Sequence, residues 1–361
     1  MEFMTTRKRR PRSSEGATPE VASRTLPETG EKAATYAVGE RRLRCIDLFC
    51  GAGGSSCGAR LAGVKPVAGI DMWPLAIEAY QLNNRGAKTY TRALQRLDPR
   101  ELAREVGPIQ LMLASPECTN HSVAKGNGER DEESRRTAFQ VIRFAKVLKP
   151  RWLVIENVVK MQQWSEYGRW LRQLKKIGYK EPLESVLDAQ DYGVAQGRKR
   201  LFIICDREGE VSVPPKHCGR RATVNSVLAT SNGDGKKWPF RPMKGRGLAT
   251  ATWTRAHRAM RALGKNKEFL LVYYGTDGAG GWQELDRPLR TITTLDRFAL
   301  VRPNGDGHEM RMLQPPELAA AMGFPANYHW PHTARRNKIK MIGNAVCPPV
   351  MQAIVSHLVR R

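Results

Sequence analysis

Leu43-Arg44-Cys45-Ile46-Asp47-Leu48-Phe49-Cys50-Gly51-Ala52-Gly53-Gly54 is an apolar run that breaks into a glycine-rich turn, and a helix-compatible stretch follows to Leu61. Glycines there let the backbone turn tightly and approach a ligand closely. No Lys-Ser/Thr pair follows the turn, which disfavours a phosphate-cradling P-loop. Working outward, residues 67–70 read as a second short strand stopped by Asp71, with a helix over 75–82. A third strand, 109–114, ends at Ser115-Pro116. A helix over 139–148 leads to a strand at 152–155 that runs into Glu156-Asn157. A helix over 170–177 and a strand at 201–205 complete the pattern. Short apolar strands separated by helices predict an α/β fold with a mostly parallel sheet and helices on both faces.

The alternation fails near Glu208. Residues 208–308 are rich in Gly, Pro, Lys, Arg and Trp, with β-like pieces at 269–274 and 289–301. They read as a smaller, irregular domain. Helical periodicity returns at 316–322 and again at 348–359, so 309–361 is expected to rejoin the domain formed by 41–207. Residues 1–40 are rich in Ser, Thr, Pro, Glu and Arg, without hydrophobic periodicity, and read as a disordered tail.

Of the 361 residues, 60 are Lys or Arg and 35 Asp or Glu, a formal charge of +25. The first forty hold seven basic and six acidic side chains, so nearly all the excess sits on the part expected to fold. Such a field attracts a polyanion, although a generally basic protein would show the same balance. No apolar run approaches the length of a membrane span, and the first residues hold no secretory-type segment. No membrane partner is therefore expected. Seven scattered cysteines include no Cys-x-x-Cys pair and no zinc spacing, so no metal is expected and reduced thiols in a cytosol fit best.

Ligands of open α/β sheets bind beyond the carboxyl ends of the strands. Asp71, twenty residues after Gly51, is placed to accept hydrogen bonds from ribose hydroxyls. Cys118 lies just past the third strand in a polar loop, which suits a reactive thiol better than a structural one. Glu156, at the end of an apolar strand, either meets a cation or waits for a ligand, because a carboxylate cannot be buried there unpaired.

With these residues in order, the chain from Leu43 to Val359 resembles the cytosine-5 DNA methyltransferase family. Asp47-Leu48-Phe49-x-Gly51-x-Gly53-Gly54 is similar to its cofactor loop, Ser115-Pro116-x-Cys118 to its nucleophile loop and Glu156-Asn157-Val158 to its base-binding strand end. Asp191-Tyr192-Gly193-Val194-Ala195-Gln196-Gly197-Arg198-Lys199-Arg200 resembles the segment that supplies active-site arginines. Arg311-x-Leu313-x-Pro315-x-Glu317 with Gly323-Phe324-Pro325, and finally Gly343-Asn344-Ala345-Val346, resemble the last two motifs.

The resemblance implies a Rossmann-like S-adenosylmethionine-dependent methyltransferase fold with a β-rich target-recognition domain at 208–308. It implies that Cys118 adds to carbon 6 of an extruded cytosine while Glu156 hydrogen-bonds or protonates N3. Asn157 would fix the nucleophile loop, and Arg198 and Arg200 would contact the base and adjoining backbone. Phe49, Gly51, Gly53, Gly54, Asp71, Met72, Pro116, Asn344 and Val346 would hold S-adenosylmethionine. Ser122, Lys125 and Arg130 on a mobile loop, with Lys236, Lys237, Arg241, Lys244, Arg246, Arg290 and Arg297, would meet double-stranded DNA. A monomer in a bacterial or phage-infected cytoplasm, near the nucleoid, is the implied setting, with a cognate restriction endonuclease as a candidate partner.

The chain departs from the family pattern in places. Glu117 and Cys347 stand where prolines are usual, as does Ala195. An adenine-contacting aspartate is missing around Ala93-Leu94, with Asp98 as a displaced substitute. Two other readings stay open: a catalytically silent DNA- and cofactor-binding module, and an RNA cytosine-5 methyltransferase.

Overall fold

A computed structural model describes residues 42–116, 132–217, 219–229, 237–244, 248–274, 280–305 and 307–360, with side chains in the second range from 137 onward. The expected N-terminal tail lies outside the described residues, as do Glu117, Cys118, Ser122, Lys125, Arg130, Lys236 and Arg246.

The strands of the larger sheet are β1 (Arg44–Leu48), β2 (Lys65–Asp71), β3 (Lys88–Thr91), β4 (Leu111–Ala114), β5 (Trp152–Asn157), β6 (Leu183–Asp188) and β7 (Lys199–Asp206). They stand in the order β3-β2-β1-β4-β5-β7-β6. Pairings from β3 through β5 are parallel, whereas β7 runs antiparallel to both β5 and β6. The sheet is therefore mixed and mostly parallel. Period-2 alternation sends Cys45, Leu111, Leu113, Trp152 and Val154 into one core, and Ile46, Met112, Leu153 and Ile155 into another on the opposite face. Strands covered on both faces read as continuous apolar runs, which is why β1, β4 and β5 are legible in sequence. The polar strand β3 and β6, whose exposure alternates, are not.

The helices are α1 (Gly54–Leu61), α2 (Pro74–Asn83), α3 (Pro99–Val106), α4 (Glu132–Leu148), α5 (Tyr167–Lys176), α6 (Thr250–Leu263), α7 (Pro315–Ala321), α8 (Arg335–Asn344) and α9 (Pro348–Val359). α1 packs on α9, while α4 contacts α3 and α5. Trp170 of α5 is fully buried and its indole N–H donates to Ala138 O at 2.9 Å. The stretch Arg335–Val359 is long and apolar enough for a membrane span. It is nevertheless two helices, broken at Ala345–Cys347 ahead of Pro348-Pro349, and its buried side chains belong to the core.

A second, antiparallel sheet joins β8 (Arg241–Pro242), β9 (Phe269–Val272), β10 (Trp282–Gln283), β11 (Phe298–Asn304) and β12 (Gly307–Met312) in the order β10-β9-β11-β12-β8. Leu270, Val272, Phe298 and Leu300 face the core shared with α7–α9, while Phe269, Leu271, Ala299 and Val301 pack with Ala256 and Ala259 of α6. The sheet thus shares a core with the larger one. One expectation for this region is corrected. Of the β-like stretch 289–301 only the part from Phe298 is a strand, Leu289 making an isolated bridge to Gln196. The helix α6 and strand β12, which straddles residue 308, carried no clear sequence signal.

Candidate active site

The carboxyl ends of β1, β2, β4 and β5 lie side by side, since Leu48 pairs with Ile70 and Ala114, and Ala114 with Ile155. Everything that follows these strands therefore opens on one edge of the sheet. After β1 the chain turns through Phe49 (φ 57), Gly51 (φ 50) and Gly53 (φ 88). Left-handed backbone is uncommon for a phenylalanine, so this turn is held by its surroundings. Cys50 N–H donates to Ile70 O at 3.0 Å and Gly53 N–H to Cys50 O at 2.9 Å. A Cβ on Gly54 would collide with the Val346 carbonyl, which fixes the final motif against the start of α1. Beside Gly51 a Cβ would meet nothing within 4 Å.

Beneath the turn Asp47 is fully buried. Its Oδ2 accepts from Ser56 N–H at 3.2 Å and Ser56 Oγ at 2.8 Å, and Ser56 Oγ also meets Tyr80 OH at 2.9 Å. Asp47 Oδ1 has no partner among the described residues. Burial outweighs the serine hydrogen bonds and pushes this carboxyl up to about 7. Asp71 accepts from Gly51 N–H and Trp73 N–H, both at 2.9 Å, so it ties the end of β2 to the turn. Burial raises its pKa as well. The next side chain, Met72, is 62% exposed, and Lys340 Nζ sits 4.6 Å from the centre of the Trp73 ring. Asp98, the candidate displaced substitute, caps α3 by accepting from Arg100 N–H at 2.9 Å.

Past β4, Ser115 N–H donates to Leu48 O at 3.1 Å. Asn157 Nδ2 donates to Pro116 O at 3.2 Å, and its Oδ1 accepts from Val158 N–H at 2.8 Å. The chain two residues before Cys118 is thereby fastened to the end of β5. Glu156 is buried, with Arg200 Nε 3.1 Å from its Oε1. Desolvation raises the Glu156 pKa even though Arg200 and Arg198 both pull it down.

Arg198 departs from the expected contact with a base. Its Nη1 donates to Ile292 O at 3.0 Å, and its Nη2 to Gly343 O at 2.8 Å and Ala345 O at 3.3 Å. The guanidinium is a buried strut between three segments, and burial lowers its pKa to about 10. Arg200, rather than Arg198, touches the glutamate. Arg198, Arg200, Glu156, Phe202, Val346 and Cys347 line a cavity of about 10 Å³, room for about one water.

Asn344 is exposed at the end of α8 and Val346 is buried against Gly54. Of the residues expected to meet DNA, Lys237, Arg241 and Lys244 are exposed, and Arg241 lines a groove of about 460 Å³ with Phe240, Met310 and Gln314. Arg290 and Arg297 are half-buried and hold backbone: Arg290 Nη2 donates to Trp282 O at 3.0 Å and Arg297 Nη1 to Tyr273 O at 2.9 Å. Sequence reasoning missed Ser56, Tyr80, Lys340 and Tyr328 around the turn. Only their proximity in space marks them, apart from Tyr328, which follows Gly323-Phe324-Pro325 closely.

These features define an open α/β protein with a glycine turn at the carboxyl edge of its sheet and a buried carboxyl–guanidinium pair at the end of β5. The chain belongs to the C-5 cytosine-specific DNA methylase family, whose pattern matches residues 43–360. It is 34% identical over 178 residues to a type II methyltransferase, M.HgiDI, of Herpetosiphon aurantiacus, covering 47% of this chain and 54% of that protein. It is 32% identical over 172 residues to M.DdeI of Desulfomicrobium norvegicum, covering 45% and 40%. Those alignments span about half the length of these relatives. Similarity to M.HgiDII of Herpetosiphon aurantiacus is lower, 25%, but extends over 88% of this chain and 94% of that one. The fold matches the Entamoeba histolytica methyltransferase EhMeth (TM-score 0.65, 14% identity, 89% and 99% of the two chains). It also matches the S. pombe Dnmt2 methyltransferase (TM-score 0.61, 17% identity, 89% and 99%).

Proposed function

We propose that the protein transfers a methyl group from S-adenosylmethionine to carbon 5 of cytosine within a specific sequence of double-stranded DNA. The observation that carries this reading is the site around Glu156. A buried carboxyl with a raised pKa sits beside Arg200, on the same strand end whose Asn157 holds the approach to Cys118. Family membership supplies the reaction class.

The residues at the glycine turn fit the cofactor. The open space over Gly51, the Asp71 carboxylate beside it and the exposed Met72 offer close backbone approach, acceptors for ribose hydroxyls and an apolar cover for a flat ring. Phe49, Gly53, Gly54, Pro116, Asn344 and Val346 complete the proposed set. S-adenosylmethionine supplies an electrophilic methyl group carried on a sulfonium.

This chain's own groups prepare the acceptor. The base must leave the duplex to be reached. The thiolate of Cys118 adds to its carbon 6, turning one hard step into two easier ones. Electron density moves toward N3, where Glu156, whose neutral form burial favours, donates a hydrogen bond or its proton. Arg200 orients that carboxyl and Arg198 braces the strand beneath it. Once carbon 5 is methylated, loss of its proton drives elimination of the thiol and restores aromaticity.

Residues 208–308, with the β8–β12 sheet, are proposed as the target-recognition domain, with Lys237, Arg241 and Lys244 available to phosphates or base edges. The names of the bacterial relatives support a type II modification setting in the cytoplasm, with an endonuclease as a candidate partner. The test is covalent trapping on duplex DNA containing 5-fluorocytosine with S-adenosylmethionine present. A denaturant-stable adduct, lost in Cys118→Ala, is expected. No adduct on any DNA pool that carries the cognate site, alongside measurable cofactor binding, would favour the silent module.

A further inference from the structure

We infer that Tyr328 is a positioning residue for the cofactor turn, acting through the carbonyl of Ala52; this rests on the methyl-transfer reading above. The Tyr328 hydroxyl donates to Ala52 O across 276 residues of sequence. Ala52 and Tyr328 are both buried, and a Cβ on Gly53 would come within 2.9 Å of the tyrosine oxygen. The phenol therefore lies directly on the backbone of the turn.

Its own position is fixed from two directions. The ring packs between Phe324 and Trp330, with centroids 4.6 Å and 5.2 Å away. The neighbouring residue makes a reciprocal pair with the end of α2: Asn83 Nδ2 donates to His329 O at 2.8 Å, and His329 N–H to Asn83 Oδ1 at 2.9 Å. Packing alone would be served equally by phenylalanine. The hydroxyl adds a donor for a buried carbonyl in a turn whose non-glycine Phe49 is held at φ 57. With Asp47 and Ser56 fastening the start of α1, Tyr328 closes the other attachment of the loop. A turn preorganised in this way loses less entropy when a ligand docks on its backbone.

The test uses the full chain and Tyr328→Phe, which keeps the ring and removes the donor. Calorimetric titration with S-adenosylmethionine should show about tenfold weaker binding, because the unclamped turn must be ordered when the ligand docks. Amide exchange of residues 51–56 in the cofactor-free protein should accelerate, KM for cofactor should rise more than kcat falls, and duplex affinity should stay within about twofold. Equal cofactor affinity and equal exchange would overturn the inference. So would a parallel fall of melting temperature, duplex affinity and cofactor affinity, which marks a merely structural ring. If Tyr328→Phe does not fold, Asn83→Ala loosens the same segment from the surface and should raise exchange at 51–56; unchanged exchange there overturns the assignment. A wild-type chain that binds no S-adenosylmethionine sinks the cofactor reading instead, and the exchange comparison still decides the clamp.

Discussion

Replacing Asp47 by Asn should change how the stability of this protein depends on pH. The Asp47 carboxyl is fully buried, one of its oxygens has no partner among the described residues, and its pKa is pushed up to about 7. An unfolded aspartate titrates near 3.9. Because the folded pKa is the higher one, the unfolded chain releases its proton first, and stability falls as pH rises from about 4 to about 7. Linkage makes this cost about 2 kcal/mol at pH 5 and about 4 kcal/mol at pH 8. Asparagine keeps the acceptor for Ser56 and cannot ionise. Its amide N–H2, set where Oδ1 was, lacks a partner and costs about 1–3 kcal/mol at every pH. The difference in unfolding free energy between Asp47→Asn and wild type should therefore shift in favour of the variant by about 2–3 kcal/mol between pH 5 and pH 8. Urea denaturation followed by tryptophan fluorescence at four pH values measures this. Curves for the two proteins that stay parallel across the range would show that Asp47 does not titrate there.

Glu156→Gln should lower kcat by at least about tenfold with little change in cofactor affinity, and should lack the fall in turnover expected of wild type as pH rises through the raised carboxyl pKa; steady-state rates across pH check both. Gly54→Ala places a Cβ against the Val346 carbonyl and should cost about 1–3 kcal/mol, read as a lower melting temperature together with weaker S-adenosylmethionine binding. The thiols of Cys45, Cys50, Cys57, Cys205 and Cys347 are all buried with raised pKa values, Cys347 at about 11. Iodoacetamide at pH 8 should therefore leave them unmodified in the folded protein while labelling all of them after denaturation, as peptide mass spectrometry would report; rapid native labelling at any of the five would contradict their burial.

Much of the fold was legible because strands buried on both faces must be continuously apolar. β1, β4 and β5 announce themselves in this way, and β2 and β5 end on polar residues, Asp71 and Glu156-Asn157, that an apolar strand does not otherwise tolerate. Local spacing also placed the glycine turn, since left-handed backbone calls for glycine at Gly51 and Gly53. The edge strands β3 and β6 and the helix α6 were missed because their polar or mixed sequences take structure from the neighbours they pack on.

The order of motifs along the chain was enough to assign it to its family and to name Glu156 and its neighbours. Only the tertiary structure decided what each charge does. Arg198, just ahead of β7, and Arg200, on it, are two residues apart and look equivalent in sequence, yet one is buried against three carbonyls from distant segments and the other meets Glu156. Likewise, Tyr328 reaches Ala52 only because residues 276 apart are packed together. Sequence records which side chains are available; hydrogen-bond partners and desolvation, which set their protonation and their roles, come from chain segments that meet only on folding.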